Sequence, residues 1–142
     1  MMEAPPSAPN AMPAPPDAKP TVILVDDDAA LRTALKFSLE LDGFEVTAFE
    51  SGEDLLRGVL PRQGGCLVLD QNLPGLSGLE ALSILRSRAN RLPALLITSH
   101  PGPGLREAAL RANAVIVEKP LIGDALVGCI QDLLDQARSA RP

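Results

Sequence analysis

The 142 residues contain no tryptophan, no tyrosine, three phenylalanines, two cysteines and a single histidine. With only His100 and no C-x-x-C pair, zinc sites of the paired-cysteine type are excluded. The cysteines, Cys66 and Cys129, sit inside apolar runs and are expected as buried thiols of a cytoplasmic protein, not as a disulfide. No apolar run approaches the roughly 20 residues that a membrane-spanning helix needs. Residues 1–20 have neither a basic start nor an apolar stretch, so no secretory signal is expected there. Neither G-x-G-x-x-G nor G-x-x-x-x-G-K-[ST] occurs, which removes the common nucleotide-binding loops. Positive charge is in deficit: 13 Lys and Arg face 18 Asp and Glu, a net −5 that disfavours non-specific contact with nucleic acid or anionic membrane.

What is present is the composition of one globular domain, 46% apolar and 22% charged, able to bury a core without disulfide or metal. Half of the 14 prolines fall in residues 1–20, an Ala/Pro segment without periodicity that is expected to stay disordered. Its P-x-x-P at Pro13–Pro16 is too short to carry a docking reading. A single folded domain is expected over 21–138, with a short tail at 139–142. Thr21–Val25, Cys66–Leu69, Ala94–Ile97 and Ala114–Val117 are short apolar runs, as strands buried on both faces require. Phe44–Phe49 alternates and suits another strand. Helical spacing predicts helices over Ala29–Leu41, from Gly52 through Leu60, and over Gly78–Arg88, Leu105–Ala112 and Gly123–Ala137. Asp28 and Ser51 stand where N-caps belong, and Asn113 where a left-handed residue would close a helix. Gly75-x-x-Gly78 reads as a turn into a helix. Five strands alternating with five helices force parallel pairing and crossovers, hence a doubly wound α/β sheet covered on both faces, with strand order left open.

In such sheets the site lies beyond the carboxyl ends of the strands. The first strand delivers Asp26, Asp27 and Asp28 there, the third Asp70, the fourth Thr98 followed by Ser99 and His100, and the fifth Lys119. Packed carboxylates repel one another unless a cation sits among them. A hard divalent cation with oxygen ligands, such as Mg²⁺, meets that need, and an ammonium adds counter-charge. One carboxylate left free can attack phosphorus while the hydroxyl and the ammonium stabilise the transferring group.

The segments VDDD at 25–28, LVLDQNLPGLSGLE at 67–80, LLITSH at 95–100 and VEKP at 117–120 resemble the receiver domain of two-component response regulators, most closely its FixJ-like group. That resemblance implies a flavodoxin-like strand order 2-1-3-4-5. It implies Asp70 as phosphoacceptor, Mg²⁺ held by Asp26, Asp27, Asp70 and the backbone carbonyl of Asn72, Thr98 as the switch hydroxyl, and Lys119 paired with Asp70 ahead of a cis bond to Pro120. Pro74 and Gly75 would shape the loop after Asp70, and Asn72, Ser99 and His100 would tune the lifetime of the phosphoryl group. Implied partners are a sensor histidine kinase or histidine phosphotransfer protein and a downstream protein target, with no nucleic acid, no membrane, and homodimerisation left open.

Two departures stand out. The position that carries Phe or Tyr in most receivers is Ile116, on a segment one residue short, so the usual coupling of threonine to an aromatic ring is missing. FixJ-like receivers also precede a DNA-binding domain, for which no room follows residue 138, so a stand-alone phosphorelay shuttle, phosphate sink or binding switch is expected. The alternatives are a pseudo-receiver that binds partners without phosphorylation and, remotely, a phosphatase with an aspartyl-phosphate intermediate, against which Asn72 stands where D-x-D would need an acid. Asp28 is read as a cap, His100 as a solvated loop residue, and Arg86, Arg88 and Arg91 as a solvated helix end.

Overall fold

The computed structural model describes residues 19–119, 121 and 124–139. The Ala/Pro segment up to residue 18, the Lys119–Pro120 bond and the expected helix start at Gly123 lie outside the described residues. The elements alternate as β1 (Thr21–Val25), α1 (Ala29–Leu41), β2 (Glu45–Phe49), α2 (Gly52–Arg57), β3 (Gly65–Asp70), α3 (Gly78–Ser87), β4 (Ala94–Thr98), α4 (Pro103–Arg111), β5 (Ala114–Glu118) and α5 (Ala125–Ser139). All strand pairs are parallel, and the order β2-β1-β3-β4-β5 is the one implied by the resemblance.

The apolar strand runs are explained by two separate cores. Alternate residues of each strand face opposite ways. Ile23, Val25, Leu67, Leu69 and Leu96 point to one face and pack with Leu55 of α2, Leu82 and Leu85 of α3 and Ala109 of α4. Val22, Leu24, Cys66, Val68, Leu95 and Ile97 point to the other and pack with Leu39 of α1 and Leu126, Ile130 and Leu133 of α5. β3 and β4 are buried along their whole length, which only a sheet covered on both sides permits. Cys66 and Cys129 are free thiols: Cys66 is buried, and burial pushes its pKa up to about 12, whereas Cys129 is only half-buried against the second core.

Capping follows the local chemistry. Asp28 accepts from the Leu31 amide, and Ser51 from that of Asp54. A full capping box, Ser77 with Glu80, starts α3 and was not foreseen. α4 and α3 each run into a non-glycine residue at positive φ, Asn113 (56°) as expected and Ala89 (66°). Two expectations are corrected. α2 stops at Arg57, so Val59 leaves the helix and stands 99% exposed; a Cβ at the C-capping Gly58 would lie 2.7 Å from the ring of Phe49, so any side chain there would have to displace that ring. The second concerns Arg86; Arg88 and Arg91 are exposed as expected, Arg88 also donating to the Leu56 carbonyl. Arg86 is half-buried, and its guanidinium donates to the carbonyls of Asn90, Leu92, Ala112 and Asn113. It ties the α3–β4 turn to the α4–β5 turn at the amino end of the sheet. Burial, then the neighbouring Arg91, lower its pKa, so the fold holds this cation for its five-donor geometry and not for charge pairing.

Truncating Arg86 leaves carbonyls of two turns without their donor. Arg86→Ala should therefore cost about 3 kcal/mol, and Arg86→Lys should recover little, because an ammonium lacks the planar fork. At Ala89 the left-handed backbone disfavours any Cβ, so Ala89→Gly should gain about 1 kcal/mol. Urea unfolding midpoints at constant slope check both.

Candidate phosphoacceptor site

Strand register builds the site. Val25 pairs with Leu69, so the next residues, Asp26 and Asp70, leave the sheet side by side. Asp70 pairs with Ile97, which sets Thr98 one step beyond, and Thr98 pairs with Glu118, which sets Lys119 one step beyond that. Main-chain bonds continue the ladder past the strand ends, from Gln71 N–H to the Ile97 carbonyl (2.9 Å) and from Lys119 N–H to the Thr98 carbonyl (2.9 Å).

The side chains converge accordingly. Carboxylate oxygens of Asp26, Asp27 and Asp70 all lie within 4.8 Å of one another. Asp26 and Asp70 are each 5% exposed and Thr98 only 2%, whereas Asp27 is open to solvent. Lys119 Nζ stands 3.3 Å from Asp70 Oδ2, and the other Asp70 oxygen accepts the Asn72 N–H at 3.0 Å. Asp26 Oδ1 accepts the N–H of Asp28 at 2.9 Å. Burial raises the Asp26 pKa, the Asp28 N–H opposes it, and the Asp70 charge adds to it. Two buried acids and a third beside them, with one ammonium in reach, form a hard oxygen donor set with unbalanced negative charge, and that chemistry fits Mg²⁺.

The remaining expected residues separate. Ser99 and His100 are exposed beyond β4, and Thr98 Oγ1 accepts the His100 N–H at 3.3 Å. Asn72 is exposed in the loop after β3. Ile116 is half-buried and already packs on the core cluster with Leu96 and Ala109, on β5 away from the acids. The loop after Asp70 turns at Gly75 (φ +73°), and Gly78 has no room for a side chain, because a Cβ would lie 2.6 Å from the Asp70 carbonyl. Two supports escaped the sequence reading: Arg32 of α1 donates to the Asp26 carbonyl at 2.7 Å, and Gln71 Oε1 accepts the Leu79 N–H at 2.8 Å. Neither forms a local pattern, since each depends on distances that only folding creates.

The profile of the response regulator receiver domain matches residues 22–131. This chain belongs to that family. It is 35% identical over 120 residues to the transcriptional regulatory protein FixJ of Bradyrhizobium diazoefficiens, covering 84% of this chain and 58% of that protein. The solved structure of the response regulator StyR superposes with a TM-score of 0.77 at 38% identity, covering 87% of this chain and 65% of that one. The structure of FixJ-N does so with a TM-score of 0.74 at 30% identity, covering 83% and 95%. The chain thus spans less than two thirds of FixJ and of StyR. As a receiver domain of two-component systems it is a phosphoacceptor signalling module carrying an acidic cluster compatible with Mg²⁺. No helix among the described residues is long and apolar enough to cross a membrane.

The raised pKa of Asp26 carries a stability consequence. Because the folded state disfavours its ionised form, the charge destabilises the metal-free protein at neutral pH, and that cost disappears as pH falls below the ordinary carboxylate range. Asp26→Asn keeps the acceptor for the Asp28 amide and removes the charge. Metal-free melts should show the variant more stable by a few degrees at pH 7, with the two curves converging under acidic conditions.

Proposed function

We propose that Asp70 accepts a phosphoryl group from a phosphohistidine of a sensor kinase or phosphotransfer protein and that the chain signals through protein contacts in the cytoplasm. The observation that carries this reading is the 3.3 Å pair of Lys119 with Asp70 inside the cluster of three carboxylates. Mg²⁺ would be held by Asp26, Asp27, Asp70 and the backbone carbonyl of Asn72. When bound, it would offset the repulsion between the acids and the incoming phosphoryl oxygens.

In the transfer, an Asp70 carboxylate oxygen forms the new P–O bond as the P–N bond of the phosphohistidine breaks, and the electron pair of that bond stays with the departing imidazole. Asp70 is held for this attack from both sides, since Asn72 N–H and Lys119 each engage one of its oxygens. Lys119 then moves its ammonium to the phosphoryl oxygens, and the Thr98 hydroxyl donates to another of them. The domain spans residues 21–138, its only self-catalysed steps being this transfer and the later hydrolysis, whose rate Asn72, Ser99 and His100 set from the rim. Ile116 has no ring to swing and a β-branched χ1, so the response to phosphorylation is carried by the Pro101–Gly104 loop or by the face around α1.

Acetyl phosphate with Mg²⁺ should add one phosphoryl group to the intact protein, as read by mass spectrometry. Asp70→Asn or excess chelator should abolish the addition. A phosphorylated Asp70→Asn variant, or transfer that persists in chelator, would overturn the reading.

A further inference from the structure

The loop after Asp70 must hold still if Asn72 is to serve the site, yet Asn72, Pro74 and Gly75 are all exposed. Leu73 anchors it to the core at 8% exposure, and the capping box of Ser77 and Glu80 fixes its far end. Between these, the Leu76 N–H donates to Oε2 of Glu53 at 3.1 Å, across 23 positions in sequence. Among the described residues, this is the hydrogen bond from residues 72–77 that reaches an element other than β3 and α3. Glu53 lies in the first turn of α2 and is half-buried. The same carboxylate occupies the space beside Gly75 into which a side chain would project: a Cβ built there would collide with Oε2 and stand 3.2 Å from Cδ. One side chain thus holds the loop at Leu76 and fills the space next to its left-handed turn (Gly75 φ +73°).

We infer that Glu53 is a positioning residue of the phosphoacceptor site: from α2 it holds Leu76, beside the turn at Gly75, and so fixes the loop that presents Asn72 to Asp70 and the cation. Groups that orient ligands without touching the metal commonly control its affinity. This inference rests on the proposed Mg²⁺ site. It adds a residue outside the strand ends.

The test uses the full chain with Mg²⁺ as the probe, in wild type, Glu53→Ala, Glu53→Gln, Gly75→Ala and the Glu53→Ala/Gly75→Ala double variant. Calorimetric titration gives Mg²⁺ affinity, metal-free melts give stability, and amide exchange of Leu76 in the metal-free protein reads the clamp directly. Expected are faster Leu76 exchange and roughly ten-fold weaker Mg²⁺ binding in Glu53→Ala, with substantial rescue in Glu53→Gln, which keeps the acceptor oxygen. Gly75→Ala, whose Cβ would displace the Glu53 carboxylate and strain the left-handed turn, should weaken binding as well. The double variant should be no weaker than Gly75→Ala alone, because that change already displaces the Glu53 carboxylate. Unchanged Mg²⁺ affinity in Glu53→Ala or Gly75→Ala, with only the melting temperature lowered, would reduce Glu53 to a structural tie and overturn the inference, as would failure of Glu53→Gln to rescue. A wild-type protein that binds no Mg²⁺ would instead remove the proposed function itself and this inference with it.

Discussion

The structure depends on keeping like charges together at the edge of an apolar sheet. Asp26 and Asp70 emerge from strands whose preceding residues are almost wholly buried, so both carboxylates are largely withdrawn from water. Desolvation and mutual repulsion work against that arrangement, and the raised pKa of Asp26 records the strain. The fold meets it locally with dipoles and one cation: the Asp28 and Asn72 N–H groups each face a carboxylate oxygen, and Lys119 reaches Asp70 from the edge strand. The residual negative charge is what makes the site receptive to a divalent cation.

Rigid placement of those strand ends comes from the layers beneath. Two cores grip the sheet on opposite faces, and interiors packed to this degree deform little. The loops above the sheet are where adjustment is available, and those after β1 and β3 are braced by side chains: Arg32 on the Asp26 carbonyl, Gln71 on the start of α3 and, from a distant element, Glu53 on Leu76. At the opposite end Arg86 does comparable work, closing two turns with one guanidinium. The molecule thus separates a structural pole, where a cation bonds only carbonyls, from a chemical pole, where charges face one another.

Ile116 shows how far family likeness carries. The resemblance places an aromatic ring at this β5 position, and here a half-buried isoleucine pairs with Leu96 and packs on the adjoining core cluster. A β-branched side chain has a restricted χ1, so it is poorly suited to act as a two-position device.

The sequence by itself determined the elements and what each brings to the site. Runs such as Thr21–Val25 and Ala94–Thr98 announce strands buried on both faces, Asp28 and Ser51 announce caps, and Asn113 announces its left-handed turn, because period and turn chemistry are properties of neighbouring residues. Even the placement of Asp26, Asp70, Thr98 and Lys119 along one edge of the sheet was legible, since all stand at strand ends and parallel strands share one carboxyl end. Only the tertiary structure decided strand order and register, the early stop of α2 before the exposed Val59, the conversion of Arg86 from a solvated charge into a half-buried clamp, and the hold of Glu53 on Leu76 beside the turn at Gly75. Each depends on the distance between residues far apart in the chain, and that distance is set by packing, on which a local pattern has no hold.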